Sequence, residues 1–278
     1  MQLMSTHILS IKLKTMKYFG LPVLLFVTSI NTFAFTSKEY QIKPTGWDAP
    51  LSISTTNVLI YKKTKVSAYM QIVDVKGGAR IEFSSPKIVW DTKGIPTFTR
   101  YPLLTHWNNL SSPVSIVNGQ FFDPNKSPAT TLSFAVKSNG SILTLGQDKN
   151  SFDPKFPPQQ LEITRGSGAF VQTWNEYRIK EVSKAQNIIV GLHPNDSTKG
   201  PSTSRGRTAF CTNGKWVFIG TYVAETQSNV VKDLQTWGCA KENVVIFDGG
   251  GSTQLKTNSF EISGDKRLLP QVVAVYDR

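Results

Sequence analysis

The sequence predicts an α+β fold, a single domain with a mixed β-sheet and few helices. Short apolar runs rich in β-branched residues recur along the chain between Gly-, Asn- and Pro-containing turns, which is typical of strands. Only two segments carry helical signals, and no internal repeat is present. A chain of 278 residues can bury a full core as one domain.

The first 34 residues predict a secretory signal peptide. Three lysines precede the apolar run at 19–30, and residues 32–34 (Thr-Phe-Ala) offer a small-residue cleavage site. Because the apolar run is too short for a stable span, we expect no membrane span after cleavage and a secreted or periplasmic protein. An uncleaved N-terminal anchor is the alternative. Cleavage would lower the formal net charge from +12 by the three lysines, to +9.

Residues 35–57 are polar and irregular and predict an N-terminal extension, followed by the folded domain at 58–278. The predicted strands share apolar, β-branched character and are bounded by turn residues. They are Val66 to Val75, Ala79 to Phe83, Lys87 to Trp90, Val114 to Val117, Ala169 to Gln172, Ile188 to Leu192, Arg207 to Cys211, Lys215 to Thr221, Val244 to Phe247 and Gln271 to Tyr276. Hairpin turns are predicted around Gly77, Asn139 and Asn213.

Two helices are predicted. Thr99 is expected to cap a helix that continues to about Asn109, with Pro102 in its first turn. Residues 228–237 place apolar side chains at helical spacing and end before Gly238. The prolines at 146–160 predict a surface loop.

Composition excludes some functions and leaves others open. The basic residues are scattered and are not clustered with aromatic residues, so nucleic-acid binding is disfavoured, while anionic polymers or phosphorylated substrates fit the positive charge. Cys211 and Cys239 predict either one disulfide, as suits an exported protein, or two separate thiols. With only two histidines after residue 34, a structural zinc site is not expected.

The strongest functional signal follows the apolar strand at 244–247. It is a carboxylate, three consecutive glycines and two hydroxyl residues: Asp248, Gly249, Gly250, Gly251, Ser252 and Thr253. Three glycines are costly in backbone entropy, and their exposed N–H groups can approach an anion closely. We therefore predict a binding or catalytic site with Asp248 at its rim.

Three further residues are candidates for the same site. Asn118 ends an apolar strand, where its amide can bind sugar hydroxyls or phosphate, although an Asn-Gly turn is the simpler interpretation. Arg207 enters a strand from a polar loop and can grip phosphate through its planar fork. Arg267, before the last strand, is a second candidate clamp. For both arginines a solvated surface role is the alternative.

Taken in order, Asn-Gly-x-Phe-Phe, Arg-Thr-Ala, Asp-Gly-Gly-Gly-Ser-Thr and a basic residue before the terminal strand resemble the phosphodiester glycosidases. This resemblance extends from about Val58 to the C terminus. It implies one pocket formed by Asn118, Arg207, residues 248–253 and Arg267. It also implies an exported hydrolase that releases a sugar from a sugar-1-phosphodiester.

A phosphate leaving group is a weak base, so such a reaction needs little general-acid help. Asp248 is then base or nucleophile, while Arg207, the N–H groups of the three glycines and the hydroxyls of Ser252 and Thr253 hold the phosphate. No cofactor is expected, and a divalent metal is left unassigned. The substrate partner is a sugar phosphate or phosphorylated glycan. The alternative function is a non-catalytic envelope glycan-binding or exopolysaccharide-assembly module.

Overall fold

A computed structural model describes residues 43–51, 55–147 and 152–278. The predicted signal peptide at 1–34 and the first part of the predicted extension lie outside the described residues. Within the described part of the chain, no helix is long and apolar enough to cross a membrane.

Eighteen strands, β1 to β18 in chain order, dominate the described residues. They are Val58–Lys62, Ala68–Val73, Arg80–Ser84, Ile88–Trp90, Pro96–Thr99, Ser115–Asn118, Ala129–Thr130, Val136–Ser138, Ser141–Thr144, Gln159–Thr164, Gly168–Thr173, Asn187–Gly191, Arg205–Thr212, Val217–Glu225, Val244–Phe247, Gln254–Thr257, Glu261–Ser263 and Val272–Tyr276. Every predicted strand coincides with one of these.

The strands form four sheets. Their orders are β1-β2-β14-β13-β15, β11-β10-β12-β8-β9, β17-β16-β6-β18-β3 and the small sheet β4-β5-β7. The α+β class is confirmed, but the prediction of a mixed sheet is wrong in one respect. All pairs of these strands in the described part of the chain are antiparallel, both the six pairs that a hairpin joins and the eight pairs of strands that are not consecutive in the sequence.

The core lies on both faces of the first sheet, and β15 shows how. Val245 and Phe247 face one apolar cluster, which includes side chains of β3, β6 and β18. Val244 and Ile246 face a second cluster, which includes apolar side chains of the helix at Gln227–Thr236. This alternation follows from the two-residue period of a strand. Because both faces are covered, β15 is buried throughout and fixed in position.

Two α-helices accompany the sheets, α1 at Leu103–Asn108 and α2 at Gln227–Thr236. The predicted α2 is confirmed: the Thr226 hydroxyl accepts the Asn229 N–H at its start, and Gly238 has a φ of +92° after its end. The predicted start of α1 is wrong. Thr99 belongs to β5, and the helix begins only at Leu103. The residue before Pro102 favours an extended backbone, so the helix cannot start before this proline.

Part of the predicted extension packs onto the domain. The N–H groups of Asp48 and Leu51 donate to backbone oxygens of β1, and Trp47 is buried 5.3 Å from the ring centre of Trp237. The disulfide alternative holds for the cysteines: Cys211 in β13 is bonded to Cys239, which follows α2. The C-terminal end of α2 is thereby attached to the sheet that contains β13.

Candidate active site

Asp248 lies at the C-terminal end of β15, where the strand opens into a cavity of about 640 Å³. The strand is fully buried, whereas Asp248 is half-buried, so its carboxylate is at the boundary between core and solvent. Gly249 and Gly250 continue the cavity wall, and Phe121 and Phe122 line it from the loop after β6. The strand end therefore presents one carboxylate to an open, polar cavity.

Two of the three glycines, Gly249 and Gly250, have a structural requirement. A side chain on Gly249 would overlap the Gly206 carbonyl oxygen, whereas one on Gly251 would meet the carboxylate of Asp265, an exposed side chain that can move aside. Gly250 has a φ of +59°, a left-handed conformation that favours glycine. The run thus turns the chain sharply, in a 3-10 turn at Gly250–Ser252, between two close neighbours.

Burial raises the pKa of Asp248 from 3.8 to about 6. The Ser252 hydroxyl, the Gly249 N–H, and the positive charges of Arg267 and Lys199 act in the opposite direction, and burial outweighs them. The Gly249 N–H donates to Asp248 Oδ1 at 2.9 Å, whereas Ser252 Oγ faces the carboxylate without a well-formed hydrogen bond. Near neutral pH Asp248 is therefore mostly ionised and basic enough to accept a proton.

Asn118 fixes the backbone of Asp248 and is not among the residues that line the cavity. Its Nδ2 donates to the Asp248 carbonyl oxygen at 2.7 Å. Its Oδ1 accepts the Thr208 hydroxyl at 2.7 Å and the Gln254 N–H at 3.2 Å. Since β6 and β16 belong to one sheet and β13 and β15 to another, this single buried amide joins the two sheets beside the carboxylate.

Arg207 lines the cavity but directs most of its donors into the protein. Its guanidinium donates to the carbonyl oxygens of Gly200 (2.6 Å), Thr203 (3.0 Å), Lys199 (3.2 Å) and Glu225 (3.4 Å). Burial, followed by the charge of neighbouring Arg205, lowers its pKa to about 10. Arg207 thus holds the 199–203 loop against the cavity.

The sequence analysis missed three cationic residues of the cavity wall: Lys126, Lys199 and Arg205. Lys126 and Lys199 lie in polar loops and Arg205 is the first residue of β13, and none of them has a local pattern that would single it out. Arg267, which the sequence did single out, also lines the cavity and lies 3.8 Å from the Asp265 carboxylate. Positive charge therefore comes from several separate segments of the chain.

Ser252 and Thr253 are buried and are not among the cavity-lining residues. The Thr253 hydroxyl has no hydrogen-bond partner in the described part of the protein. Asp123 also lines the cavity, whereas the carboxylate of Asp233, on α2, pairs with Lys63. Within the described ranges, no group of three or more His, Cys, Asp or Glu side chains could hold a metal ion.

Chemically, the site combines a basic carboxylate with nearby cations and a cavity that can hold a monosaccharide and its substituent. Phe121 and Phe122 are mostly buried, so they contribute ring edges and small ring areas to the wall. The arrangement suits attack on an electrophilic carbon next to an anionic group, because the anion is bound by charge while the carboxylate accepts a proton or bonds to carbon.

No protein-family model matches the chain, and no curated protein matches it. Among solved structures, it is similar to the catalytic domain of zebrafish N-acetylglucosamine-1-phosphodiester alpha-N-acetylglucosaminidase, auto-inhibited by its pro-peptide. The sequence identity is 13%, the TM-score is 0.56, and the match covers 86% of each chain. At this identity the likeness concerns the fold alone. The predicted resemblance is confirmed at that level: the chain shares its fold with the catalytic domain of a phosphodiester glycosidase.

Proposed function

We propose that this protein is an exported hydrolase that releases a sugar from a sugar-1-phosphodiester. The observation that carries the proposal is the position of Asp248, a half-buried carboxylate with a raised pKa at the floor of a cation-lined cavity. The shared fold supports the same reaction class, since the zebrafish protein is named for cleaving a sugar from a phosphodiester.

The phosphate would lie against the cations nearest to Asp248. Lys199 and Arg267 line the cavity, and both act electrostatically on the Asp248 carboxylate. A phosphate between them and Asp248 gains charge as the glycosidic bond breaks, which these cations stabilise. Because the departing phosphate monoester is a weak base, the reaction does not depend on a strong general acid. Gly249 and Gly250 lie on the same wall and can add N–H donors.

Asp248 would act at the anomeric carbon by one of two routes. As a nucleophile it forms a glycosyl ester that water then hydrolyses, with retention of anomeric configuration. As a base it accepts a proton from water, which attacks the opposite face with inversion. In both routes Asn118 and Arg207 are positioning residues: Asn118 fixes the backbone of Asp248, and Arg207 fixes the loop that carries Lys199.

The proposal is tested by sugar release from a panel of sugar-1-phosphodiesters that varies the sugar. We expect turnover by the wild type and a loss of at least about 100-fold in Asp248→Asn, the range typical of a lost acid–base group. Asp48→Asn, at an exposed aspartate outside the cavity, makes the same chemical change and serves as the control. Proton NMR of the first sugar formed distinguishes retention from inversion.

The pH profile gives an independent readout. Because Asp248 acts as a carboxylate, kcat/KM is expected to fall as the pH drops through about 6, the pKa that burial gives this group. Turnover that is unaffected in Asp248→Asn contradicts the proposed role of Asp248. Tight binding of a sugar-1-phosphodiester without any release would instead assign the protein to the glycan-binding class.

A further inference from the structure

The wall of the cavity carries more positive charge than a single phosphodiester would neutralise. Two carboxylates line it, Asp123 and Asp248. The cationic side chains in the wall are Lys126, Lys199, Arg205, Arg207 and Arg267. A substrate with one phosphodiester brings one negative charge, and in the proposed function Lys199 and Arg267 bind it. Lys126 and Arg205 then remain in the wall without an ion pair among the described residues.

Two arginines hold the loops that carry the lysines. Arg100 donates to the carbonyl oxygens of Pro124 at 2.8 Å and Lys126 at 2.7 Å, and its guanidinium lies over the Phe122 ring. Arg207 donates to the Lys199 carbonyl oxygen at 3.2 Å. Each lysine thus sits on a loop fixed by a guanidinium through its main chain. The main chain at both lysines therefore has a defined place on the cavity wall.

At two places a cavity-lining arginine lies close enough to another arginine to affect its pKa. After burial, the positive charge of Arg267 is the next cause that lowers the pKa of Arg100, and Arg205 does the same to Arg207. Arg205 and Lys126 are exposed, and neither forms an ion pair with the carboxylates of the described residues. Adjacent like charges are unfavourable unless an anion lies between them.

We propose that the substrate carries at least one further phosphate group beyond the one at the anomeric carbon, bound by Lys126 and Arg205. This inference rests on the proposed function, in which Lys199 and Arg267 hold the first phosphate. Two kinds of substrate carry such a further phosphate group: a sugar linked to a pyrophosphate, and a sugar attached to a chain of consecutive phosphodiesters. Arg205 supplies a planar fork for phosphate oxygens, and Lys126 a point charge.

The test separates charge recognition from turnover. Calorimetry measures the Kd of dimethyl phosphate, with one negative charge, and of symmetrical dimethyl pyrophosphate, with two. We expect the pyrophosphate to bind about two- to fivefold more tightly, as one additional exposed ion pair provides. This ratio should decrease at high salt because exposed charges are screened.

The double variant Lys126→Gln/Arg205→Gln should bring the ratio of the two Kd values to about one. Lys93→Gln/Lys184→Gln also removes two exposed charges, but from outside the cavity wall, and should keep the wild-type ratio. Equal Kd values for the two ligands in the wild type would overturn the inference, as would a ratio that persists in the cavity variant. Circular dichroism verifies that each variant is folded.

Turnover is measured in parallel on one sugar in three forms: its methyl phosphodiester, its nucleoside diphosphate and its conjugate to two consecutive glycerol phosphates. A higher kcat/KM on one of the two longer forms supports the inference and identifies the source. Equal kcat/KM on all three contradicts it while leaving the hydrolase function intact. Tighter pyrophosphate binding without release of sugar from any form contradicts the hydrolase function and supports the charge recognition.

Discussion

The half-buried charge of Asp248 predicts a gain in stability when it is removed. Burial raises its pKa from 3.8 to about 6, so between about pH 4 and pH 6 the native state binds more protons than the unfolded chain. The free energy of unfolding therefore falls as the pH rises through this window. Asp248→Asn removes the penalty and retains an oxygen that can accept the Gly249 N–H.

The size of the effect follows from the same shift. About 1.4 kcal/mol per pKa unit gives an upper limit of about 3 kcal/mol at neutral pH. Because Asp248 is partly exposed, solvent screening reduces the expected gain to roughly 1–2 kcal/mol. For a domain of this size, that gain raises Tm by roughly 2–8 °C.

Urea denaturation of the wild type and Asp248→Asn at pH 4, 5, 6 and 7.5 measures this difference. We expect the wild type and Asp248→Asn to have closely similar free energies of unfolding at pH 4. The difference between them should grow with pH and reach its full size above pH 7. Asp48→Asn, at an exposed aspartate, is the matched control. A gap of the same size at every pH, or a variant less stable than the wild type at pH 7.5, would refute the argument, since neither follows from a lost buried charge.

Three further predictions concern the scaffold of the site. Gly249→Ala should lower the free energy of unfolding by about 1–3 kcal/mol, measured in urea, because its Cβ would overlap a neighbouring carbonyl oxygen. Arg207→Met should increase amide hydrogen exchange at 199–203 and raise KM, since that loop loses its bonds to the guanidinium. Reduction of the Cys211–Cys239 bond, 28 residues apart, should lower the free energy of unfolding by about 3–4 kcal/mol.

Each of these has a result that would contradict it. An unchanged urea midpoint in Gly249→Ala would mean that the neighbouring chain moves aside without cost. Unchanged exchange at 199–203 in Arg207→Met would show that other contacts hold the loop, and Arg165→Met, a change outside the cavity wall, is the control for the loss of a guanidinium. An equal urea midpoint with and without reductant would mean that the disulfide does not contribute to the stability of the domain.

The sequence predicted the elements whose own pattern determines them. The apolar strand before Asp248 and the helix before Gly238 were both identified, because burial of an apolar face governs them. The loop prediction at 146–160, which rested on prolines, included Gln159 and Gln160, but these two residues begin the strand Gln159–Thr164. The rest of that strand was not predicted, and four of its six residues are polar. In the structure the Glu162 carboxylate accepts hydrogen bonds from Gln160, Arg178 and other donors, and contacts from distant segments determine this network.

The candidate site was predicted in part for the same reason. Asp248 and the glycines were identified by an unusual local pattern, and Arg267 was identified by its position before the last strand. Lys199 and Arg205 could not be identified, because only the fold brings the 199–203 loop and the start of β13 to the cavity. The sequence also could not show that Arg207 donates mainly to main-chain oxygens. An arginine that binds phosphate and one that holds a loop cannot be told apart by residue type.

Asn118 has a consequence for how such a site can diversify. It secures the backbone of Asp248 to two sheets through buried bonds, while the cavity-lining cations Lys126 and Arg205 are exposed. Under the proposed function, exchanging one of these cations would change which leaving group is accepted but would leave Asp248 in place. The reactive group and the specificity residues would then be separate, and new specificities could arise without a change in the core.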